Sequence, residues 1–193
     1  TKIVNASGPQ NLGDGLVVDH SFSSKPASGY QDYHHKMATY ADILSSHASV
    51  IDPTATAKTF RVIEAEDPES IFEYLDTASS RAGIYAVSQK LALPKVAIIG
   101  IGGTGSYVLD LVAKTPVQEI HLFDGDHYLQ HNAFRSPGAA TLEELKAAPK
   151  KVHYFRDRYS AMRRNIVAHD FQIHAENADC LDGMAFAFLC VDR

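Results

Sequence analysis

The sequence predicts an α/β fold in which a parallel sheet carries helices on both faces, preceded by a small mixed α+β region. From Lys95 onward, strand-like apolar runs alternate with stretches of helical periodicity. This alternation is typical of parallel strands joined by right-handed crossover helices. The run KVAII is apolar after its first residue, as expected of a strand covered on both faces. Such a Rossmann-like sheet binds ligands at the carboxyl ends of its strands.

Composition excludes several classes of protein. The chain has 193 residues, of which 45% are apolar, so it is long enough for one or two domains with a real core. The net charge of −5 leaves no broad basic face, so nucleic-acid binding is not expected. No apolar run approaches the ~20 residues that cross a membrane, so no membrane partner is expected either.

Cysteine usage and the N-terminus indicate the compartment. Cys180 and Cys190 form no CxxC pair, which predicts a reduced cytoplasmic protein without disulfides or structural zinc. The N-terminus lacks the charged start and hydrophobic centre of a secretory signal. Because an initiator Met is missing, we expect a trimmed or processed chain.

The first part of the chain differs in composition from the rest. Residues 1–68 are rich in Ser, Ala, Asp and His and are predicted to form an N-terminal extension of unknown role. The runs GLVVDHSF and TFRVIEA predict strands. Between them, helical spacing predicts a helix with a core-facing stripe of Tyr30, Tyr33, Met37, Tyr40 and Leu44, although TYADILS also fits a strand. Residues 69–94 are predicted to be a helical connector, with Asp67 as N-cap and Pro94 at its end.

Residues 95–193 are predicted to form the sheet domain. After KVAII, TGSYVLDLVAKT predicts a helix and EIHLF a strand. PKKVHYFRDRYSAMRRNIVAH predicts a second helix whose apolar stripe is Val152, Phe155, Tyr159, Met162 and Ile166. FQIHA and FAFLCV predict two further strands.

A glycine-rich turn follows the first strand of this domain and opens a helix; its glycines are Gly100, Gly102, Gly103 and Gly105. Glycines allow a tight turn and let a phosphate approach bare N–H groups, and the helix N-terminus adds a partial positive charge. The strand–turn–helix setting therefore predicts a phosphate-binding turn.

Polar residues further along the chain help to distinguish an ATP site from an NAD site. Asp124 ends the second strand, where a carboxylate accepts ribose hydroxyls in NAD and ATP sites alike. Arg135 supplies a cationic fork and Asn132 an amide donor, which suit a triphosphate and its leaving pyrophosphate. Lys150 and Lys151 begin a helix and are predicted to reach the same phosphates or to be solvated. Asp192 follows a late strand, where a carboxylate is a natural Mg²⁺ ligand.

The combination of motifs resembles one family. The ThiF/MoeB/ubiquitin-activating adenylyltransferases have the motifs GxGGxG, DxD, NxxR and CxD, which this chain matches at Gly100–Gly105, Asp124–Asp126, Asn132–Arg135 and Cys190–Asp192. The resemblance covers residues 95–193. It implies that MgATP adenylates the C-terminal carboxylate of a ubiquitin-like or sulfur-carrier protein.

Site roles follow from the resemblance by position. It implies that the glycine turn, Asp124 and Asp126 line the ATP site, and that Asn132 and Arg135 act catalytically on the phosphates. Asp192 would bind Mg²⁺ and would be a third catalytic residue beside Asn132 and Arg135. The family lysine corresponds to Lys151, with Lys150 as the fallback. A homodimer is implied as well, in which Arg81 would contact phosphates of the partner subunit.

The chain also departs from the family pattern. Ser136 and Arg193 stand where many members have Gln and Asn, and the sheet domain is expected to be incomplete at its C-terminal end. The block from YQDYHHKMATYADILSSHASVIDP to DTASSRAGI, residues 30–84, resembles an uncharacterised N-terminal extension found on some bacterial ThiF-type proteins. Two alternatives stay open: a non-catalytic nucleotide-binding or interaction module, and an NAD(P)-dependent oxidoreductase on the same fold.

Overall fold

The computed structural model describes residues 3–65 and 67–191. It divides into two compact units, Thr1–Arg61 and Val62–Arg193. In the described part of the chain, no helix combines the length and the apolar character that a membrane span requires.

The first unit contains a hairpin and one long helix. Strands β1 (Val4–Asn11) and β2 (Val17–Phe22) pair antiparallel, with two irregularities in their register. Strand β2 was predicted, whereas β1 was not, because its Ser, Gly and Pro residues suggested turns. Helix α1 (Tyr33–Ile51) begins after Asp32, whose carboxylate accepts the N–H of His35 at 2.6 Å, a typical N-cap.

The apolar stripe of α1 is not a core stripe. No residue of α1 is buried, and the side chains of Tyr33 and Met37 are 83% and 64% exposed. The helical periodicity was therefore correct and its interpretation as core packing was wrong. Tyr40 contacts the loop instead, since its hydroxyl accepts the N–H of Ser24 at 2.8 Å. The hydroxyl of Tyr30 donates to the Ser24 carbonyl oxygen.

The segment before the sheet is less helical than predicted. The segment TFRVIEA forms no strand. Among the described residues, its one β-type pairing is an isolated antiparallel bridge between Glu64 and Tyr74. The helix expected from Asp67 does not form there, because Asp67 caps a turn at Glu69. Helix α2 (Thr77–Arg81) is instead capped by Asp76. Helix α3 (Tyr85–Ser88) and a 3₁₀ turn (Gln89–Leu91) follow after Gly83, whose φ is +68°.

The second unit contains the predicted parallel sheet. Its strands are β3 (Lys95–Ile99), β4 (Glu119–Phe123), β5 (Ile166–His169) and β6 (Phe186–Leu189), in the spatial order β5-β4-β3-β6. All three pairings are parallel, and the last residues of the four strands are in register. The carboxyl ends therefore meet at one edge, as the alternating pattern predicted.

Elements cover the sheet on both faces. Helices α4 (Gly103–Val112) and α7 (Lys151–Ser160) pack through Leu109, Val152 and Phe155 on the face that carries Ile98, Ile120 and Leu122. A 3₁₀ helix (Ala175–Leu181) and Met184 pack on the opposite face, against Ala97, Ile99 and Phe123. Two short helices, α5 (Gln130–Ala133) and α6 (Leu142–Ala147), lie between β4 and α7 in the chain.

The second long helix predicted in this domain is shorter than expected. It ends at Ser160, and residues that were assigned to it form β5. Asn165 separates the two elements with φ of +61°, a left-handed conformation that Asn tolerates and that ends a helix. Ile166 therefore reaches the core from a strand. FQIHA forms no strand: residues 171–174 are a loop, and Ala175 begins the 3₁₀ helix. The predicted stripe is confirmed for Val152, Phe155 and Tyr159, which lie on α7, and is wrong for Met162 and Ile166.

A buried arginine fixes the turn between α7 and β5. The side chain of Arg163 is fully buried and donates to the carbonyl oxygens of Ala113, Thr115 and Val117, just beyond the C-terminus of α4. Burial lowers the pKa of its guanidinium to about 10, so the group is still charged at neutral pH. A cation beside the carbonyl end of a helix is favourable.

Candidate functional site

The glycine turn is shaped by close backbone packing. Gly100 has φ of +85°, and a Cβ atom there would lie 2.9 Å from the carbonyl oxygen of Cys190. A Cβ atom on Gly105 would collide with the carbonyl oxygen of Gly100. Gly102 faces open space, and no side chain caps the N-terminus of α4 in the described structure. The free N–H groups of this first turn suit an anion.

Asp124 connects the glycine turn to the end of β4. One of its carboxylate oxygens accepts the N–H of Ile101 at 2.8 Å, and the other accepts the N–H of Asp126 at 2.9 Å. The side chain is buried at the carboxyl edge of the sheet. Each oxygen retains a lone pair, so the same carboxylate is able to accept hydroxyl groups of a ligand.

Two lysines reach this edge from the start of α7. The ammonium group of Lys151 lies 2.8 Å from Asp126 and 3.6 Å from Asp124. The hydrogen bond from Lys151 holds the pKa of the Asp126 carboxyl below its usual range. Lys150 instead donates to the backbone oxygen of Gly125 at 2.6 Å. Lys151 is therefore the buried cation of the site, and Lys150 supports the loop from outside.

Arg135 and Asn132 lie on the loop after β4. The guanidinium of Arg135 covers Gly103, with Nη2 3.3 Å and Nε 3.4 Å from the place of a Cβ atom. Within residues 3–65 and 67–191 this guanidinium has no hydrogen-bond partner. Asn132 is buried, its amide oxygen accepts the Leu129 N–H at 2.8 Å, and its backbone oxygen accepts the Ser136 hydroxyl. Asn132 thus holds the loop that presents Arg135.

A cleft of about 450 Å³ opens at this edge, within the size range of small-molecule sites. Of the predicted residues, Gly100, Gly102, Asp124, Asp126 and Lys151 line it. Gly103, Gly105, Asn132 and Arg135 are not in its lining, although Arg135 touches the turn that forms one wall. The other walls of the cleft are side chains that the sequence did not predict as site residues: Ile99, Phe123, Gln172, Ile173, Leu189 and Val191.

A signal for the missed residues exists in the sequence. Each of them ends a strand of the sheet or follows one within four residues. Gln172 and Ile173 lie within FQIHA, whose composition predicts a strand but which follows β5 as a loop. Cys190 also lines the cleft directly after β6, and burial raises the pKa of its thiol.

Other predicted residues lie elsewhere. Asp192, the predicted Mg²⁺ ligand, is outside the described residues, as is Arg193. Among the residues that the structure describes, no group of three or more His, Cys, Asp or Glu side chains is arranged to hold a metal ion. Arg81 is the last residue of α2 and does not line the cleft. Its predicted contact with a partner subunit stays a prediction.

Comparison with known families divides the chain in two. Residues 77–193 match the ThiF family. Residues 1–77 match a family described as a domain of unknown function (DUF6791).

Comparison with curated proteins finds similar sequences in mosquitoes. The chain is 32% identical over 80 residues to ubiquitin-like modifier-activating enzyme 5 of Culex quinquefasciatus, which covers 40% of this chain and 20% of that protein. The Aedes aegypti enzyme of the same name is 28% identical over 91 residues, or 46% of this chain and 23% of that protein. The matched part of this chain thus spans about a fifth of the length of these relatives.

Solved structures with similar folds include two proteins of E. coli. The tRNA N6-threonylcarbamoyladenosine dehydratase TcdA in complex with ATP has a TM-score of 0.51 at 21% identity, over 60% of this chain and 48% of that chain. MccB with SeMet MccA has a TM-score of 0.52 at 19% identity, over 62% and 38%. At these identities the likeness shows a shared fold.

Proposed function

Because this chain belongs to the ThiF family, we propose that it binds ATP in the cleft and adenylates a protein carboxylate, releasing pyrophosphate. The carboxylate would be the C-terminus of a ubiquitin-like or sulfur-carrier protein. The observation that carries the proposal is the meeting of the glycine turn, the Asp124 carboxylate and the Lys151 ammonium at one sheet edge. Similarity to ubiquitin-like modifier-activating enzyme 5 supports the class of substrate, and the fold shared with ATP-bound TcdA supports the nucleotide.

The proposed reaction needs no side-chain nucleophile. A carboxylate oxygen of the bound protein attacks the α-phosphorus of ATP, the bond to the bridging α–β oxygen breaks, and pyrophosphate leaves with the electron pair. Negative charge develops on the leaving group, so fixed donors and cations near it lower the barrier. In the proposal the N–H groups of the α4 first turn, the Lys151 ammonium and the Arg135 guanidinium provide them.

The ribose would lie against Asp124. Its carboxylate is held by two backbone N–H groups, so it does not need to reorganise when a sugar hydroxyl donates to it. Asn132 would keep Arg135 in place by holding the loop. Asp192 is the proposed Mg²⁺ ligand; when bound, Mg²⁺ would neutralise charge on the phosphate oxygens.

The function is tested by ATP–pyrophosphate exchange, using the full protein that carries this chain and a panel of ubiquitin-like proteins with free C-termini. Exchange that depends on one member of the panel, and that is lost when its C-terminal glycine or equivalent residue is removed, is expected. Binding of ATP without exchange in any combination would favour the non-catalytic alternative. Binding of NADH in place of ATP would favour the oxidoreductase.

The two lysines provide a matched pair of variants. Lys151→Met is expected to weaken ATP binding by about tenfold or more, since it removes a buried cation from the cleft. Lys150→Met is expected to change binding by less than about threefold, because that ammonium group is bonded to the Gly125 carbonyl. Isothermal titration calorimetry at constant salt measures both. A larger loss for Lys150→Met would assign the phosphate contact to Lys150.

A further inference from the structure

Two histidines form a hydrogen-bonded pair on the sheet face opposite α4 and α7. His121 of β4 and His169 of β5 are joined by Nδ1 and Nε2 at 2.9 Å. The other ring nitrogen of His121 lies 2.9 Å from a carboxylate oxygen of Glu119. The second oxygen of Glu119 lies 3.2 Å from the ammonium group of Lys95. None of the motifs that led to the proposed function includes these four residues.

This pair is connected to the cleft by ring stacking. The ring of His169 lies parallel to that of Phe123, with centroids 4.3 Å apart, and Phe171 packs edge-on against both. Phe123 is a wall of the cleft, and the loop after Phe171 contributes Gln172 and Ile173 to other walls. The position of the His169 ring therefore affects three side chains that line the cleft.

The hydrogen bond between the rings limits how many protons the pair can hold. The Nε2 atom of His121 donates to the Glu119 carboxylate, so its Nδ1 either accepts from His169 or donates to it. Both arrangements leave at least one of the two imidazoles neutral. When both rings are protonated, two N–H groups face each other across 2.9 Å, and the rings must separate.

We infer that His121 and His169 form a pH-sensitive positioning element for the nucleotide cleft, in which double protonation displaces Phe123 and the loop after β5. This inference rests on the proposed function in one respect, because it takes ATP as the ligand that binds in the cleft. His121 and His169 act through Phe123 and Phe171 and touch no reacting atom.

The charged side chains near the histidine pair affect how readily His169 takes up a proton. The charged groups nearest the pair are the Glu119 carboxylate, 2.9 Å from Nε2 of His121, and the Lys95 ammonium group, 3.2 Å from the second oxygen of Glu119. Asp170, which follows His169, lies 4.0 Å from His153 of α7 rather than against the pair. Burial, and next the charge on His121, lower the pKa of His169. No other charged side chain is paired with either ring among the described residues.

The direction of the pH effect follows from this lowered pKa. The unfolded chain gains the His169 proton near its ordinary pKa of about 6.5, whereas the folded protein resists it. The stability that the neutral pair provides is therefore complete above about pH 6.5 and is lost as the pH falls below that value. The folded protein takes up the second proton only at a lower pH than the unfolded chain, and the cleft geometry should be lost as that proton binds.

The experiment compares ATP affinity at about pH 8 and about pH 5.5 in the wild type, in His169→Gln and in His34→Gln. Glutamine at 169 is able to donate to or accept from His121 but does not titrate, so its affinity should fall between the two pH values only as far as protonation of ATP itself requires. Over the same change in pH the wild type and His34→Gln should lose about tenfold more affinity than His169→Gln. His34 is an exposed histidine of α1 and controls for the substitution itself. Protonation of ATP affects all three proteins equally.

The outcomes separate the two proposals. ATP binding at high pH with the same pH profile in all three proteins would overturn the inference and leave the proposed function intact. The absence of ATP binding at every pH, in folded wild-type protein, would overturn both. If His169→Gln does not fold, ¹⁵N NMR of the ring nitrogens in the wild type replaces it. A ring that stays neutral until the signals of Phe123 and Phe171 shift would support the inference, and two independent titrations near pH 6.5 would contradict it.

Discussion

Arg135→Ala is expected to lower ATP–pyrophosphate exchange by about a hundredfold or more, because removal of one preorganised donor to developing charge costs about that much. The guanidinium lies over Gly103 at the start of α4, where the phosphates would bind, and has no hydrogen-bond partner among the described residues. It holds no element of the fold through its side chain, so the thermal unfolding temperature should be almost unchanged. Steady-state exchange with the cognate ubiquitin-like protein measures the effect.

Arg156→Ala is the matched control for this prediction. Arg156 is a partly exposed residue of α7 that pairs with its neighbour Asp157 at 2.7 Å, so its loss should leave exchange within about twofold of wild type. Equal exchange rates in the wild type, Arg135→Ala and Arg156→Ala would remove Arg135 from the proposed mechanism.

Arg163→Met is expected to destabilise the fold by about 3 kcal/mol or more. Methionine fills a similar volume but leaves the carbonyl oxygens of Ala113, Thr115 and Val117 without their donors. A buried polar group that loses its partner costs about 1–3 kcal/mol. The charged guanidinium also stabilises the carbonyl end of α4, which the variant lacks. Urea unfolding followed by circular dichroism measures the loss as a lower midpoint with an unchanged slope.

The neighbouring residue supplies the comparison. Arg164 pairs with Glu73 at 3.0 Å, and both side chains are more than a third exposed. Solvent screens such a pair, so Arg164→Met should cost less than about 1 kcal/mol. If the two substitutions had equal effects on the unfolding midpoint, the role assigned to the buried guanidinium would be wrong.

The pH inference complements these substitutions, because it concerns residues that the family motifs do not include. Asp124 and Lys151 are expected to act on the ligand, whereas His121 and His169 are expected to act on the walls of the cleft. Affinities of a variant series, measured at a single pH, would not distinguish residues that contact the ligand from residues that position the cleft walls. The same series at two pH values separates residues that touch ATP from residues that position its cleft.

Local patterns were sufficient for much of the fold. The apolar runs of β3 and β4 and the glycine turn between β3 and α4 depend on neighbouring residues, so periodicity and turn chemistry predicted them. The prediction was wrong where the same residues fit both the helical period and the period of a strand. Ile166 continues a helical stripe and also begins a strand, and the left-handed Asn165 between these alternatives is visible only in the backbone. The predicted boundaries at residues 68 and 94 stay predictions.

By itself the sequence determined that Gly100 and Asp124 lie at the carboxyl edge of the sheet, because each directly follows an apolar strand and the two strands are parallel. The tertiary structure decided which lysine is buried beside the aspartates, since Lys150 and Lys151 are neighbours in sequence and meet different partners in the fold. It also revealed Arg163 and the His121–His169 pair. Their contacts join residues more than 45 positions apart, and no local pattern encodes a contact between distant parts of the chain.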